Sequence, residues 1–265
     1  MFKIIVSYGL GVMLFLGVKL YAQDNYEIQV YGSKLVEAGT TMFESHTNYS
    51  AHGLGAESLD GVPSNHLLRE TIEITSGICS WMEIGFYVFT NYHSGSGYQW
   101  VGDHIRPRFT APESWKLPVG LSLSLEGGYQ QEAYSPNTIT AEIRPIIDKT
   151  IGKLYCAFNP TLDLSFKGPD KNNGLYFSPN VKVSYDFTKV ITLGLEYYGS
   201  LGTLSMFQPY AIQQHMWVPS LDLNTFEDWE FNAGIGFGVT KVTEPLLFKI
   251  IVGRRINWHK KLNNK

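Results

Sequence analysis

The amino-acid sequence predicts an all-β chain, folded as a transmembrane antiparallel up-and-down β-barrel of about twelve strands. Three observations favour this fold. Apolar and polar side chains alternate over many segments, short and long connections follow each other in turn, and aromatic side chains gather at both ends of the strands. The strands of outer-membrane barrels show all three features.

The alternation is clearest in VGLSLSLEGGY, residues 119–129, where Leu121, Leu123 and Leu125 fall on one face and Ser122 and Glu126 on the other. In a soluble sheet the apolar face would cover a protein core. In an outer-membrane barrel it faces lipid, and the polar face lines the lumen. Charged residues in mid-strand and aromatics at both strand ends favour the membrane barrel over the alternative, a periplasmic β-sandwich.

The chain divides into four parts. Residues 1–22, MFKIIVSYGLGVMLFLGVKLYA, read as a signal peptide, since Lys3 precedes an apolar run and Ala22 offers a small residue at the cleavage site. The apolar run is shorter than the roughly 20 residues of a spanning helix. Residues 23–40 are predicted as a periplasmic lead-in, either a short strand or a tether. Residues 41–258 form the barrel, and 259–265 are a C-terminal tail.

Each predicted strand is near the 9–11 residues that cross a bilayer at a tilt. The strands are 41–49, 66–77, 82–91, 98–110, 119–130, 138–148, 154–166, 175–187, 190–199, 214–224, 229–240 and 246–258. Five of them carry a proline on the outward face, where we expect local bulges. These prolines are Pro107, Pro145, Pro160, Pro179 and Pro219.

The connections predict an orientation. Short turns such as ICSW and FTKV alternate with longer loops, of which 50–65 and 200–213 are the longest. Short turns lie on the periplasmic side of outer-membrane barrels, so both termini are expected there. The expected aromatic girdles are Trp81, Trp115, Phe187, Trp229 and Trp258 at the short-turn end, and Phe89, Tyr98, Tyr129, Phe166, Tyr197 and Trp217 at the long-loop end.

Composition excludes some classes of function. Removing Lys3 and Lys19 with the leader leaves 19 basic residues (21 − 2) against 24 acidic ones, a net charge of −5. This balance gives no electrostatic basis for nucleic-acid binding. Cys79 and Cys156 fall on strands far apart in the barrel order, so a disulfide between them is not expected.

Charged side chains concentrate on the predicted inner face of three neighbouring strands. The predicted register places Arg106 near Ser124 and His104 near Glu126, then Glu126 near Glu142 and Ser124 near Arg144. The expected lumen cluster is His104, Arg106, Arg108, Glu126, Glu142 and Arg144. Such a cluster is either a constriction that sorts solutes by charge or a ladder of ion pairs that fills the interior.

Other functions have weaker support. Outer-loop histidines near serines and an aspartate raise the possibility of a hydrolase, but the chain lacks a G-x-S-x-G or H-E-x-x-H motif. These loop residues are His52, His66, His93, Ser50, Ser64, Ser94 and Asp60. The loop carrying Met206, Phe207 and Tyr210 is a candidate plug, partner contact or self-packed loop. We expect no enzyme activity, no cofactor and no metal.

The last strand, FKIIVGRRINW, resembles the terminal strand that barrel-assembly machinery recognises, through Gly253, Ile256 and Trp258. It departs from that pattern in the residues that follow Trp258. Several blocks also resemble a family of uncharacterised bacterial outer-membrane β-barrel proteins. They are YEIQVYGS (26–33), ETIEITSGI (70–78), YQWVGDHIRPRF (98–109), PESWKLPVGLSLSLEGGYQ (112–130), EIRPIID (142–148), FSPNVKVSYDFTK (177–189) and LEYYGSLG (195–202). The resemblance implies the barrel fold and the outer-membrane location, and no substrate.

The sequence therefore predicts an exported barrel whose partners are outer-membrane lipids, the barrel-assembly machinery and small polar solutes. Passive passage through a charged lumen is the preferred function. The alternative is a closed structural or adhesive barrel without a pore.

Overall fold

The computed structural model describes residues 26–55, 63–95 and 97–258. The predicted signal peptide, residues 1–22, and the predicted tail, residues 259–265, lie outside the described residues. Within them the chain forms a closed barrel of twelve long antiparallel strands, with one small hairpin at the rim.

The strand bounds follow the alternating segments of the sequence closely. The strands are β1 Thr40–His52, β2 Leu67–Cys79, β3 Met82–His93, β4 Gly97–Thr110, β5 Gly120–Gln130, β6 Ile139–Ile151, β7 Leu154–Lys167, β8 Tyr176–Asp186, β9 Ile191–Ser200, β10 Gly202–Thr203, β11 Met206–Phe207, β12 Gln214–Leu223, β13 Trp229–Gly238 and β14 Leu246–Asn257. Strands β10 and β11 form the rim hairpin. Short 3-10 helices occupy Glu113–Trp115 and Tyr210–Ile212. No helix in the described ranges is long and apolar enough to cross a membrane.

The barrel closes between its first and last strands. β1 pairs with β14 in antiparallel register from Thr40↔Asn257 to Ser50↔Leu247, and β9 pairs with β12 across the rim hairpin. Lipid offers no partner for a free strand edge, so a sheet that spans a membrane must close in this way. The predicted all-β, up-and-down barrel is confirmed.

Burial alternates along each wall strand. On β2, every second residue from Leu67 to Gly77 is buried, whereas Ile72 between them is exposed. Outward side chains of other strands, such as Phe86 and Leu193, are also exposed and apolar. The outer surface is therefore the apolar face, and the inner surface carries the polar and charged side chains.

The aromatic girdles are largely as predicted, with one exception. Trp81, Trp115, Phe187 and Trp258 are exposed at the short-turn end, and Tyr98, Tyr129, Phe166 and Trp217 at the long-loop end. Phe89 does not belong to a girdle, because it shares the inward face of β3 with Tyr87 and is 2% exposed. Its ring contacts those of Tyr26 and His104 inside the barrel.

The strand prolines interrupt pairing without shifting the register. Pro107 pairs with Ile84 of β3, while the β4–β5 pairing passes over residues 106–107. Likewise Pro145 pairs with β5, and the β6–β7 pairing passes over residues 144–146. The expected bulges are therefore not at these prolines; a missing N–H accounts for the gaps. Both cysteines are free.

Candidate functional site

The chain before the first strand lies inside the barrel. Residues 26–36, which we call the luminal segment, carry the buried side chains of Tyr26, Ile28, Val30 and Tyr31. The sequence predicted this region as a periplasmic lead-in. Its described part instead enters the lumen, because the wall supplies hydrogen-bond partners for its backbone.

The first part of the luminal segment reaches toward the long-loop end. The carbonyl oxygen of Tyr26 accepts hydrogen bonds from Asn48 Nδ2 at 3.1 Å and Thr71 Oγ1 at 2.9 Å. The carbonyl oxygen of Ile28 accepts one from Lys249 Nζ at 3.0 Å. Three wall strands, β1, β2 and β14, thus hold this part of the backbone.

The middle of the luminal segment is held by the opposite wall. The Tyr31 N–H donates to Asn159 Oδ1 at 2.8 Å, and Asn159 Nδ2 donates back to the Tyr31 carbonyl at 3.0 Å. The Ser33 N–H and hydroxyl donate to the Asp148 carboxylate at 2.9 Å and 2.6 Å. These contacts fix the segment against β6 and β7.

At the short-turn end the luminal segment runs along β2, β3 and β4. Arg108 donates to the carbonyl oxygens of Gly32 and Lys34 at 3.2 Å and 2.9 Å. The Val36 N–H donates to Glu83 at 2.6 Å. The segment therefore spans most of the lumen between Tyr26 and β1.

A glycine makes the passage of the chain past β2 possible. A Cβ at Gly77 would lie 2.2 Å from the carbonyl oxygen of Glu37 and 2.4 Å from that of Val36. Both are backbone atoms, which cannot move without moving the chain. Glycine is the residue that permits such a close backbone approach.

Two strand registers were predicted for the inner charged cluster, and one of them is confirmed. Glu126 faces Glu142, and Ser124 faces Arg144, as predicted for β5 and β6. The β4–β5 register was wrong by two residues, since Arg108 rather than Arg106 faces Ser124. A turn longer than a tight hairpin joins these two strands, so its length did not fix their register.

The six predicted cluster residues all point inward, yet they divide into two groups. In the first group, His104 Nδ1 lies 2.7 Å from Glu126 Oε1, and Arg144 Nε lies 2.6 Å from Glu142 Oε1. Both pairs are formed within the predicted wall.

The other two arginines turn toward β2 and β3. Arg106 lies 2.5 Å from Glu73 and 3.1 Å from Glu83, and Arg108 lies 2.8 Å from Glu83. The luminal segment separates the two groups, and the ring of Tyr31 lies between them.

Tyr31 is the residue at the centre of this arrangement. The guanidinium carbons of Arg106, Arg108 and Arg144 lie 5.0 Å, 5.5 Å and 4.8 Å from its ring centroid. Cations stack favourably on aromatic faces at such distances. Sequence reasoning missed Tyr31, because it breaks the alternation of Tyr26, Ile28 and Val30.

A second charged network lies across the lumen. Glu196 accepts from Lys249 at 2.5 Å and lies 3.3 Å from Lys182, which in turn lies 2.8 Å from Asp222. Lys249 and Glu196 are each 1% exposed. Buried charges require such partners, so this network is a packed ladder rather than a set of free ligands.

One ion pair joins the wall to a loop at the long-loop end. Arg69 Nη2 lies 2.7 Å from Glu244 Oε1, in the connection between β13 and β14. Burial alone would raise the pKa of Glu244, but Arg69 and hydrogen bonds from Arg69, Ser50 and Ser64 outweigh burial and lower it. The carboxylate is therefore the stable form of Glu244 at neutral pH.

The luminal segment leaves free space on both sides of it inside the barrel. A cavity of about 580 Å³ lies at the short-turn end, between the luminal segment and β1, β12, β13 and β14. A smaller one, of about 140 Å³, lies toward the long loops and is lined by Tyr26 and Glu27 of the segment. Residues of the luminal segment thus border both spaces.

Among the described outer-loop residues, Ser50 and His66 are not paired with each other as a nucleophile and base. Ser50 donates to Glu244 at 2.7 Å and accepts from Arg69 at 2.7 Å, so its hydroxyl is held by the Arg69–Glu244 ion pair. His66 Nδ1 lies 3.3 Å from the Tyr49 hydroxyl. Asp60 lies outside the described residues.

The apolar loop does not enter the lumen. Met206, Phe207 and Tyr210 are exposed, and Phe207 and Tyr210 stack on Phe177 and His215. Because these rings pack on side chains of β8 and β12 and are exposed, this loop is not the plug. The luminal segment, and not this loop, occupies the lumen.

The terminal-strand residues have distinct places in the structure. Gly253 faces inward, where a Cβ would lie 2.9 Å from Glu44 Cγ. Ile256 pairs with Thr41 at the β1–β14 seam. Trp258 Nε1 donates to Thr41 Oγ1 at 2.9 Å. These contacts secure the end of the barrel seam, and recognition by assembly machinery stays a prediction.

Comparison with known proteins supports the fold. No protein-family model matches the chain, and no curated protein matches it. Among solved structures it is similar to the COG4313 outer membrane channel from Pseudomonas putida F1, with a TM-score of 0.58 at 8% identity over 87% of this chain and 100% of that one. It is also similar to the KdgM porin, with a TM-score of 0.50 at 12% identity over 80% of this chain and 98% of that one.

A second KdgM structure, in complex with disordered oligogalacturonate, gives the same TM-score of 0.50 at 10% identity, over 83% of this chain and 99% of that one. At these identities the likeness concerns the fold. The closed barrel and its apolar outer surface, together with these likenesses, show that the chain has the fold of a bacterial outer-membrane β-barrel.

Proposed function

We propose that this barrel is a passive channel for small polar solutes, and that the luminal segment limits passage through it. The observation that carries the proposal is the polar cavity of about 580 Å³ beside the segment. A barrel that serves only as a structural wall has no need of a polar space of this size there. Pores of this kind select solutes through the charged side chains that line them.

The lining of this cavity favours cations over anions. It contains nine acidic side chains, Glu37, Glu44, Glu73, Glu83, Glu196, Asp222, Glu227, Asp228 and Glu230. It contains six basic ones, Lys34, Arg106, Arg108, Lys182, Lys249 and Arg255. An acidic sugar such as the oligogalacturonate of the KdgM complex would meet an excess of like charge. We therefore propose neutral or cationic solutes.

Passage requires the luminal segment to shift. The segment is held by polar side chains, such as Asn159 and Arg108, and by apolar contacts of its Ile28 and Val30 with the wall. Water can replace the polar contacts at small net cost. We propose that brief displacement of the segment connects the two cavities.

A closed barrel without a pore is the second candidate. The observation that favours it is the completeness of the ion-pair networks around Tyr31 and Glu196. In that function the segment is a permanent filling of the lumen. We assign no catalytic role, and we propose the assembly machinery and outer-membrane lipids as partners in biogenesis.

Single-channel recording in planar bilayers tests the proposal. We expect brief conductance steps with a reversal potential that shows cation preference under a KCl gradient. Replacing Glu227 and Asp228, which line the mouth of the cavity, by Gln and Asn should reduce that preference. Glu113→Gln is the matched control, since Glu113 is exposed in a turn at the same end. A folded barrel that never conducts, with or without its luminal segment, would support the closed structural barrel instead.

A further inference from the structure

Three side chains from distant parts of the chain converge inside the barrel. They are Glu27 of the luminal segment, His46 of β1 and Glu73 of β2, and all three are buried. One ligand-type atom from each lies within 4.8 Å of the others. Because these residues are far apart in sequence, no spacing motif indicates that they meet.

Two of these three side chains carry ligand-type atoms without a hydrogen bond. His46 is 0% exposed, and neither of its ring nitrogens has a hydrogen-bond partner. Glu73 Oε2 is also without a hydrogen bond. It lies 3.3 Å from His46 Nε2, within ion-pair distance.

The remaining oxygens of the two carboxylates are already bound by other groups. Glu73 Oε1 accepts from Arg106 at 2.5 Å and from Thr75 at 2.6 Å. Glu27 Oε1 accepts from the Tyr31 hydroxyl at 2.5 Å. Carboxylates and histidines that bind metals are commonly oriented by such outer hydrogen bonds.

We propose that Glu27, His46 and Glu73 bind one divalent first-row transition cation, of which Zn²⁺ is the representative. Two ligands that each lie about 2.1 Å from a tetrahedral Zn²⁺ are about 3.4 Å apart, close to the 3.3 Å between His46 Nε2 and Glu73 Oε2. One imidazole and two carboxylates match the ligand preference of these cations. The cation also compensates the repulsion between two converging carboxylates.

Occupancy of this site would join the luminal segment to the barrel wall. Glu27 belongs to the segment, whereas His46 and Glu73 belong to β1 and β2. The proposal does not depend on whether the barrel conducts, because metal binding is measured on its own.

The test is the metal content of the folded barrel in detergent. After incubation with Zn²⁺ and dialysis, mass spectrometry of the digested protein should give one Zn²⁺ for each wild-type barrel. We expect His46→Gln and Glu27→Gln each to retain less than one-tenth of the wild-type Zn²⁺ content. His104→Gln is the matched control and should retain the metal, since His104 is an inward histidine beside a single carboxylate, Glu126. Glu27→Gln alters the segment rather than a wall strand, so it tests the site even if His46→Gln does not fold.

Co²⁺ substitution gives an independent readout. Visible absorption of a four- or five-coordinate Co²⁺ should appear in the wild type and in His104→Gln, and should be lost in Glu27→Gln. Ca²⁺, which prefers six to eight oxygen ligands, should not displace Zn²⁺. Absence of Zn²⁺ from the wild type overturns the proposal, and so does equal Zn²⁺ content in wild type and Glu27→Gln, since the metal would then lie elsewhere.

Discussion

Tyr31 and Asn159 are joined by two hydrogen bonds in opposite directions. The backbone N–H and carbonyl of Tyr31 bind the side-chain amide of Asn159, at 2.8 Å and 3.0 Å. Asn159 is 0% exposed on β7, and its amide takes the place of a neighbouring strand for this one residue. The pair anchors the luminal segment at mid-lumen.

Asn159→Ala should loosen the luminal segment. Leaving the buried backbone groups of Tyr31 without partners costs about 1–3 kcal/mol, so the barrel should unfold at lower urea concentration and conduct more often. Urea titration and bilayer recording measure these two effects. Asn232→Ala is the control, since Asn232 faces the lumen but binds Asp222 rather than the segment. Equal conductance of both variants would show that Asn159 does not restrain the segment.

Arg106→Ala should be among the most destabilising single changes in the lumen. Its removal leaves Glu73, which is 0% exposed, without its arginine, whereas Glu83 keeps Arg108. Stranding a buried charge costs about 3–5 kcal/mol. Arg255→Ala, which breaks a pair with Glu230 nearer the rim, should cost about 0–1 kcal/mol. Comparable unfolding free energies for the two variants would contradict the burial of the Arg106 network.

The Arg69–Glu244 pair predicts a loss of stability in acid. The folded state lowers the pKa of Glu244 below its ordinary 4.5, so folding favours the carboxylate. Its contribution is complete above pH 4.5 and declines as the pH falls through the lower, folded value. Glu244→Gln should therefore be less stable than wild type at pH 7, and the difference should shrink in acid. A difference that stays constant down to strongly acidic pH would rule out this linkage.

Gly77→Ala should displace the chain that enters the barrel. The new Cβ would meet the backbone carbonyls of Val36 and Glu37, so either the segment or β2 must move. We expect faster proteolysis of the luminal segment in the folded barrel, detected by mass spectrometry. Gly55→Ala is the control, because a Cβ there meets nothing within 4 Å. Unchanged proteolysis in Gly77→Ala would mean that the close approach is not a restraint.

The wall was predictable because lipid and lumen impose a period of two on every strand. Residues such as Leu121 and Ile143 must face outward, and their neighbours Ser122 and Glu142 must face inward. A one-residue error would place charges in lipid. The same rule fixes the face that each residue takes but leaves the register free in steps of two residues, and the predicted β4–β5 register is wrong by one such step.

The occupied lumen was not predictable from local pattern. The contacts of the luminal segment join residues that are far apart in sequence, 128 residues for Tyr31–Asn159 and 221 for Ile28–Lys249. They are made by side chains to backbone groups and leave no periodic signal. For the same reason, the sequence did not predict that Glu27 lies close to His46 and Glu73.

The measurement that tests the account most directly is the single-channel conductance of the barrel with and without residues 26–36. If the luminal segment limits a pore, the wild type should show brief, infrequent steps, and the shortened barrel should show long, larger steps with cation preference. Heat-resistant migration in detergent gels confirms that both proteins are folded. A folded, membrane-inserted barrel without the segment that does not conduct would contradict the account.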